Sequence, residues 1–429
     1  MLRRIDLRTV TGALSDHLPR PEVPSGGPLE AVREILAAVR ARGDAAVGEF
    51  TERFDGVEVP DPRVPAAELA AALERVDADV RRALHAAAAS IEEYHRAQMP
   101  SDVTVERPGV SIVGMHRAVE RAGCYVPGGR AVYPSTVLMT AVPARVAGVS
   151  EVVLMVPPGP DGKVPDVTLA AAAVAGVDEV LAIGGAQAIG AVAYGTDTIA
   201  PVDVIVGPGN VFVALAKQEV AGLVGVPSSF AGPSEVVVIA DGSSPADFAA
   251  VDVILQAEHG PDGLAWFVTW DAEFAEEVEA SIERLVAEAP RRADIQATLD
   301  TSGISVLCSS AEQALDVANF IAPEHLELQT ADPDALLPLV RHAGAVFCGA
   351  YAPASLGDYV AGPSHVLPTS GTARFASALT VGDFMKDVHV VSVDQSGLEA
   401  MGDHVIALAM AEGLDAHAAS IRVRREAGA

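Results

Sequence analysis

Two stretches of the chain carry polar groups able to donate lone pairs where an element ends. In "VILQAEHGPDG", Gln256 and His259 stand three apart, about 60° from each other around a helix, just before Gly260 and Pro261 stop it. The upstream "SSPADFAAVD" supplies that helix, with Ser244 expected as N-cap, Pro245 at its first position, and Phe248, Val251 and Leu255 as the buried stripe. Gln256 and His259 lie close to this stripe, and alone they read as a satisfied buried pair at a helix end. Glu258 falls on the far side, toward solvent. In "LGDYVAGPSHVLPTSG", Asp358 and His365 stand in a loop rich in Gly and Pro, a setting shaped for a site. Should these groups converge, Gln and Asp oxygen with His nitrogen suit a borderline divalent ion such as zinc, with manganese as competitor. The absence of nearby cysteine argues against a closed structural zinc site.

A second pair is Glu324 and His325 in "APEHLEL", on the turn after a helix that Pro323 halts. Adjacent acid and imidazole can be an accident of a helix end. In the functional reading His325, with an unperturbed pKa of about 6.5, removes a proton from an alcohol or hydrate while Glu324 activates water. No G-x-S-x-G elbow supports a serine hydrolase. A third set is Gly-rich: "GGAQAIG" at 184–190 and "GPGN" at 207–210 each follow an apolar run and open a helix, where free N–H groups and the dipole hold phosphate. Neither is GxGxxG, and a tight turn needs no ligand. "CYVPGGRAVYPST" from Cys124 is a third such loop, and three at the ends of neighbouring strands strengthen the case for a dinucleotide beyond their carboxyl ends.

Something must position these loops. The first hundred residues are rich in Ala, Arg and Glu with helical periodicity and read as surface helices, His85 and His95 being exposed members. From Val119 short β-branched runs alternate with Ala-rich helical ones: "AGVSEVVLMVPPG", "AGVDEVLAIGGAQ", "PVDVIVGPGN", then "SEVVVIADG", "LAWFVTW", "GISVLCS" and "GAVFCG". Near-continuous apolar strands each followed by a helix predict parallel sheets covered on both faces. Ser309 with Glu312 predicts a capping box for "AEQALDVANFIA". The last segment, "GLEAMGDHVIALAMAEGLDAHAASIRVRR", reads as a helical appendage rather than a sheet.

Bulk properties narrow the partners. A chain of 429 residues suggests two or three domains. Half the residues are hydrophobic, yet no apolar run approaches the roughly 18 that cross a bilayer, and "MLRRIDLRTV" lacks the pattern of a signal peptide. Three cysteines without CxxC pairing read as reduced thiols, so a soluble cytoplasmic protein is expected. A net charge of −29 opposes binding to nucleic acid.

Taken in order, "CYVPGG", "GGAQAIGA", "VGPGN", "AGPSE", "QAEH", "APEHLEL", "LGDYVAGPSHVLPTSGTARF" and "AEGLDAH" resemble the histidinol dehydrogenase family, over about Val119 to His417. The resemblance implies two doubly wound Rossmann-like α/β domains with parallel sheets, a helical N-terminal region and a small C-terminal helical appendage. It implies an N-terminal arm at 1–24, a discontinuous first domain at 25–127 plus 235–373 with the metal and catalytic loops, an NAD-binding domain at 128–234, and a dimerisation appendage at 374–429. Such enzymes are four-electron alcohol and aldehyde dehydrogenases of histidine biosynthesis. They oxidise L-histidinol through L-histidinal to L-histidine with two NAD and one zinc per site. The zinc ligands would be Gln256, His259, Asp358 and His417, the last from the other subunit of a homodimer, and zinc would anchor the substrate. A helix C-terminus is a sensible place for a cation. Glu324 and His325 would be catalytic; Ser234, His365 and Glu412 would contact substrate; Tyr125, Gln187 and Asn210 would contact NAD.

Departures from the pattern are small: Gly260 stands where an acid is more usual and Ser364 where Asn is usual. Cys124 invites a thiohemiacetal route, but nothing nearby depresses its pKa. Two rivals are a dehydrogenase of the same architecture for another small polar alcohol, such as a sulfonated diol, and a nucleotide-binding regulatory protein without turnover. Intact Ser234, His365 and Glu412 count against the first, and the Glu324–His325 pair against the second.

Overall fold

The computed structural model describes residues 2–19, 28–128, 131–227, 234–258 and 263–428. They divide into two units, Met1–Gln98 with Glu120–Phe384, and Met99–Val119 with Met385–Ala429. The larger unit is built on two all-parallel sheets. One has six strands in the order Arg3–Asp6, Gly303–Leu307, Leu264–Thr269, Glu235–Ala240, His325–Gln329, Ala345–Cys348. The other has four, in the order Glu179–Leu181, Glu151–Met155, Arg121–Tyr125, Val204–Val206. Every residue of Glu235–Ala240, Gly303–Leu307 and His325–Gln329 is buried. That explains the missing polar alternation, and it makes the polar intruders Glu235, His325, Glu327 and Gln329 conspicuous.

The first two N-terminal helices pack on the four-stranded sheet, whereas Tyr94 of the Ala78–Ala97 helix lines the cavity beside His325. Val32, Ile35 and Leu36 of the Leu29–Arg42 helix and Phe50 of the Asp44–Asp55 helix share a core with Ala186, Ile189 and Val213, on the four-stranded side. Of the residues before 100, the Arg3–Asp6 strand joins the six-stranded sheet, at its edge. His95 also departs from expectation: on the Ala78–Ala97 helix it continues the stripe of Ala87 and Ile91 at i+4 spacing, is buried, and donates from Nδ1 to the Ile91 carbonyl at 2.8 Å. His85 is exposed as expected.

The Ala246–Ala257 helix begins one residue later than expected and is turned about its axis. Pro245 occupies the cap position, and the buried Ser244 Oγ makes no bond. Ala249, Ala250, Val253 and Ala257 pack on Val236 and Val238 of the sheet, while Val251 is 48% exposed. Small alanines let the helix sit close to the strands, which turns the bulkier Val251 outward. Gln256 falls on the buried face at i+3 from Val253. Ser310, not Ser309, caps the Ala311–Ile321 helix: its hydroxyl accepts from Gln313 N, and Gln313 Oε1 accepts from Ser309 N at 2.7 Å.

The smaller unit holds an antiparallel sheet with Val110–Ala118 between Val103–Arg107 and Met385–Val393. Two helices, Gln395–Ala411 and Asp415–Gly428, pack on each other. Its C-terminal part is therefore not helical alone: "MKDVHVVSV" forms a nine-residue strand, and 99–119 joins it from far upstream.

Candidate active site

The six-stranded sheet gathers polar groups at the amino ends of its strands. His325 opens its strand and is buried. Its Nδ1 donates to the Glu235 carbonyl at 3.0 Å, so a neutral ring carries its proton there and leaves Nε2 as the basic nitrogen. Nε2 has no hydrogen-bond partner and lies 3.4 Å from Asp358 Oδ1. Glu324 Oε2 is 3.4 Å from Nδ1, and the Phe347 ring stacks on the imidazole with centroids 5.9 Å apart. Burial alone lowers the affinity of His325 for a proton, but the carboxylates of Glu324 and Asp358 outweigh it and hold the pKa well above the ordinary value.

Gln256 approaches from the helix C-terminus, with Nε2 3.4 Å from His325 Nδ1 and Oε1 buried without a partner. Asp358 stands in the short Ala354–Tyr359 helix; its backbone carbonyl accepts from His365 Nδ1 at 2.9 Å. His365 Nε2 in turn accepts from the Thr136 hydroxyl at 3.1 Å, a neutral ring matching the downward shift that burial imposes. Ser234 precedes the Glu235 strand and its carbonyl accepts from Leu264 N at 3.0 Å. His325, Phe347, Asp358 and His365 line a cavity of about 260 Å³. Ser364, where Asn was expected, donates to the Met139 carbonyl at 3.0 Å and is structural.

Of the four expected metal ligands, the larger unit thus brings together two, Gln256 and Asp358, both against His325. His259 lies outside the described residues. Glu412 and His417 are exposed in the smaller unit, at the end of one helix and in the next. Among the described residues no three His, Cys, Asp or Glu side chains cluster to hold a metal. The donor chemistry nonetheless fits a divalent ion: a carboxamide oxygen buried without a partner at the negative end of a helix, and a carboxylate, both lie against His325.

The expected NAD residues collect at the carboxyl ends of the four-stranded sheet. Tyr125 Oη accepts from Gly185 N at 3.0 Å, and Gln187 is buried with neither amide atom partnered. Asn210 caps the Val211–Val220 helix, its Oδ1 accepting from Phe212 N and Val213 N. Cys124 is buried, and burial pushes its thiol to about 12, which removes the thiolate that a covalent route needs.

A family model described as histidinol dehydrogenase matches residues 19–425. The chain belongs to the histidinol dehydrogenase family. Among its relatives, the histidinol dehydrogenase of Gluconobacter oxydans is 48% identical over 400 residues, 92% of this chain and 93% of that one. That of Bordetella parapertussis is 49% identical over 399 residues, 92% and 90% of the two chains. The crystal structure of histidinol dehydrogenase from Elizabethkingia anophelis superposes with a TM-score of 0.94 at 32% identity, covering 99% of this chain and 98% of the other. Membership makes the protein an oxidoreductase.

Two groups in this chain escaped the reading of motifs. Glu235 is buried beside Glu324, and each carboxyl accepts the other's backbone N–H, at 2.9 and 3.3 Å; Ser370 N also donates to Glu235 at 2.7 Å. Burial, and then the Glu324 charge, push Glu235 up to about 8. Lys217, buried in the Val211–Val220 helix, donates to the Gly207 carbonyl at 2.8 Å, and burial lowers it to about 7. An acid in "SEVVVIA" and a lysine in "VFVALAKQEV" were the available signals, each a charge inside an apolar run.

Proposed function

We propose that the chain is a zinc-dependent enzyme oxidising L-histidinol through L-histidinal to L-histidine with two NAD, working in the cytoplasm as a homodimer with shared sites. Gln256, His259 and Asp358 would hold the zinc together with His417 of the partner subunit. Ser234, His365 and Glu412 would complete the substrate site, and Tyr125, Gln187 and Asn210 the NAD site beside the four-stranded sheet. When bound, zinc anchors the nitrogen-rich substrate and offsets the charge of Asp358, and NAD accepts the hydride.

The observation that carries this reading is the state of His325. Nδ1 is bonded to the Glu235 carbonyl, so once a zinc held by Asp358 offsets the carboxylate that keeps the ring protonated, Nε2 is the atom that would accept the alcohol proton in the first oxidation and the hydrate proton in the second. Glu324, buried next to the ring, takes the proton of the water that adds to the aldehyde. Keeping the aldehyde bound avoids release of a reactive intermediate. The three cysteines, all free, suit a reducing compartment. No helix among the described residues is long and apolar enough to cross a membrane. Large apolar side chains exposed on the smaller unit, among them Leu408, Val391 and Val423, suit a subunit contact.

The test is stoichiometry and its dependence on two side chains. Purified protein should form two NADH per histidinol, and a chelator should abolish this. His325→Asn should lose both oxidations, whereas Glu324→Gln should mainly harm oxidation of supplied histidinal. Equal losses in both half-reactions for Glu324→Gln would refute the division of labour.

A further inference from the structure

Beneath Gln256 and His325 the same two elements meet a second time. Asp252 lies one turn before Gln256 on its helix, and Glu327 two residues beyond His325 on its strand. A rise of about 6 Å along the helix therefore matches about 6.6 Å along the strand. Both acids are buried, and one amide holds them side by side. Gln329, two residues further on the same strand face, donates from Nε2 to Asp252 Oδ2 at 2.7 Å and to Glu327 Oε2 at 2.8 Å. Glu327 Oε1 accepts from Ala354 N at 2.9 Å, and Ala354 opens the short helix that carries Asp358.

Two adjacent carboxylates this dry cannot both stay ionised. Hydrogen bonding decides which one keeps the charge. Glu327 accepts on both oxygens, from Ala354 and Gln329, whereas Asp252 accepts from Gln329 on Oδ2, so its carboxylate is the less supported of the two and the better carrier of a proton. Gln329 Oε1 is buried without a partner, because the amide is turned to face both acids with its N–H groups.

We propose that Asp252 and Glu327 share one proton, carried by Asp252, and that this acid pair is a positioning device, holding the Gln256 helix, the His325 strand and the Asp358 helix in one register. The proposal rests on the reading of Gln256 and Asp358 as zinc ligands. Burial pushes both acids up.

Two neutral replacements in the full-length protein test it. Glu327→Gln must turn an amide N–H toward another donor, and its affinity for Zn2+, measured by chelator competition, should fall about 10- to 100-fold, as for outer partners of metal ligands. Asp252→Asn still offers a donor to Glu327 and should stay within about threefold of the original chain, well inside that range. The infrared difference between the original chain and Asp252→Asn should show the carbonyl stretch of one buried protonated acid. A packing role alone leaves that signature unmoved, and it reports even where Glu327→Gln fails to fold. Unchanged Zn2+ affinity in Glu327→Gln, an equal loss in Asp252→Asn, or absence of the acid band overturns the proposal. If the original chain binds no Zn2+, the ligand reading falls instead, and the infrared band decides the acid pair by itself.

Discussion

Glu235 opens a strand whose other five residues are apolar, and its carboxyl is tied by backbone N–H groups of Glu324 and Ser370. Those bonds locate it without removing the penalty of burying a second charge beside Glu324. Its pKa rises from an ordinary 4.5 to about 8. The protonated form is therefore the one the fold favours. The stability that follows is complete below pH 4.5 and is lost as pH rises through about 8. Urea unfolding of the original chain and Glu235→Gln between pH 5 and 9 should show the original chain losing ground with rising pH, by on the order of 4 kcal/mol in all. Parallel stability curves would show that Glu235 does not titrate in this window.

At the scale of elements, what sequence could reveal followed from what each element buries. Most strands of both parallel sheets were legible because two covered faces leave long apolar runs, and the Gly-rich turns because each closes a run and opens a helix. The exceptions were Arg3–Asp6, an edge strand with three charges in four residues, and His325–Gln329, whose polar residues made its start read as a turn. Helix phase was not. In "ADFAAVDVILQA" the alanines carry no decisive preference, so the larger Phe248, Val251 and Leu255 suggested the wrong stripe, and the burial of Gln256 became intelligible only once Ala249 and Val253 were seen against the strands. The Met385–Val393 strand was hidden for another reason: its partner lies near residue 114, far outside any local window. His325 could be named as a base from its neighbour alone, but the tautomer depends on Glu235, ninety residues away. One turn is specific enough to test. Gly207 has φ +100°, and a Cβ there would strike the Tyr125 carbonyl oxygen, while Lys217 holds the Gly207 carbonyl from behind. Gly207→Ala, at about 1–3 kcal/mol of local strain, should weaken NADH binding roughly tenfold by fluorescence titration and leave zinc content unchanged. Loss of both would mean that the turn supports the whole unit rather than one loop.

For the whole molecule the open matter is which chain completes each site. The larger unit supplies Gln256, Glu324, His325 and Asp358 together, whereas His417 is exposed on a helix of the smaller unit. An imidazole that no described group buries, on a unit that also exposes Leu408 and Val423, is what a residue donated to a neighbour would look like in a single chain. The proposed exchange has a quantitative consequence. His417→Asn and His325→Asn should each be inactive as pure dimers. When they are unfolded together and refolded as an equal mixture, half of the dimers are mixed, and each mixed dimer has one site built from an intact His325 and an intact partner histidine. About a quarter of the original activity should return, as the symmetry of an isologous dimer requires. If His417 served its own chain, every site in the mixture would still contain one substitution, and refolding would restore nothing.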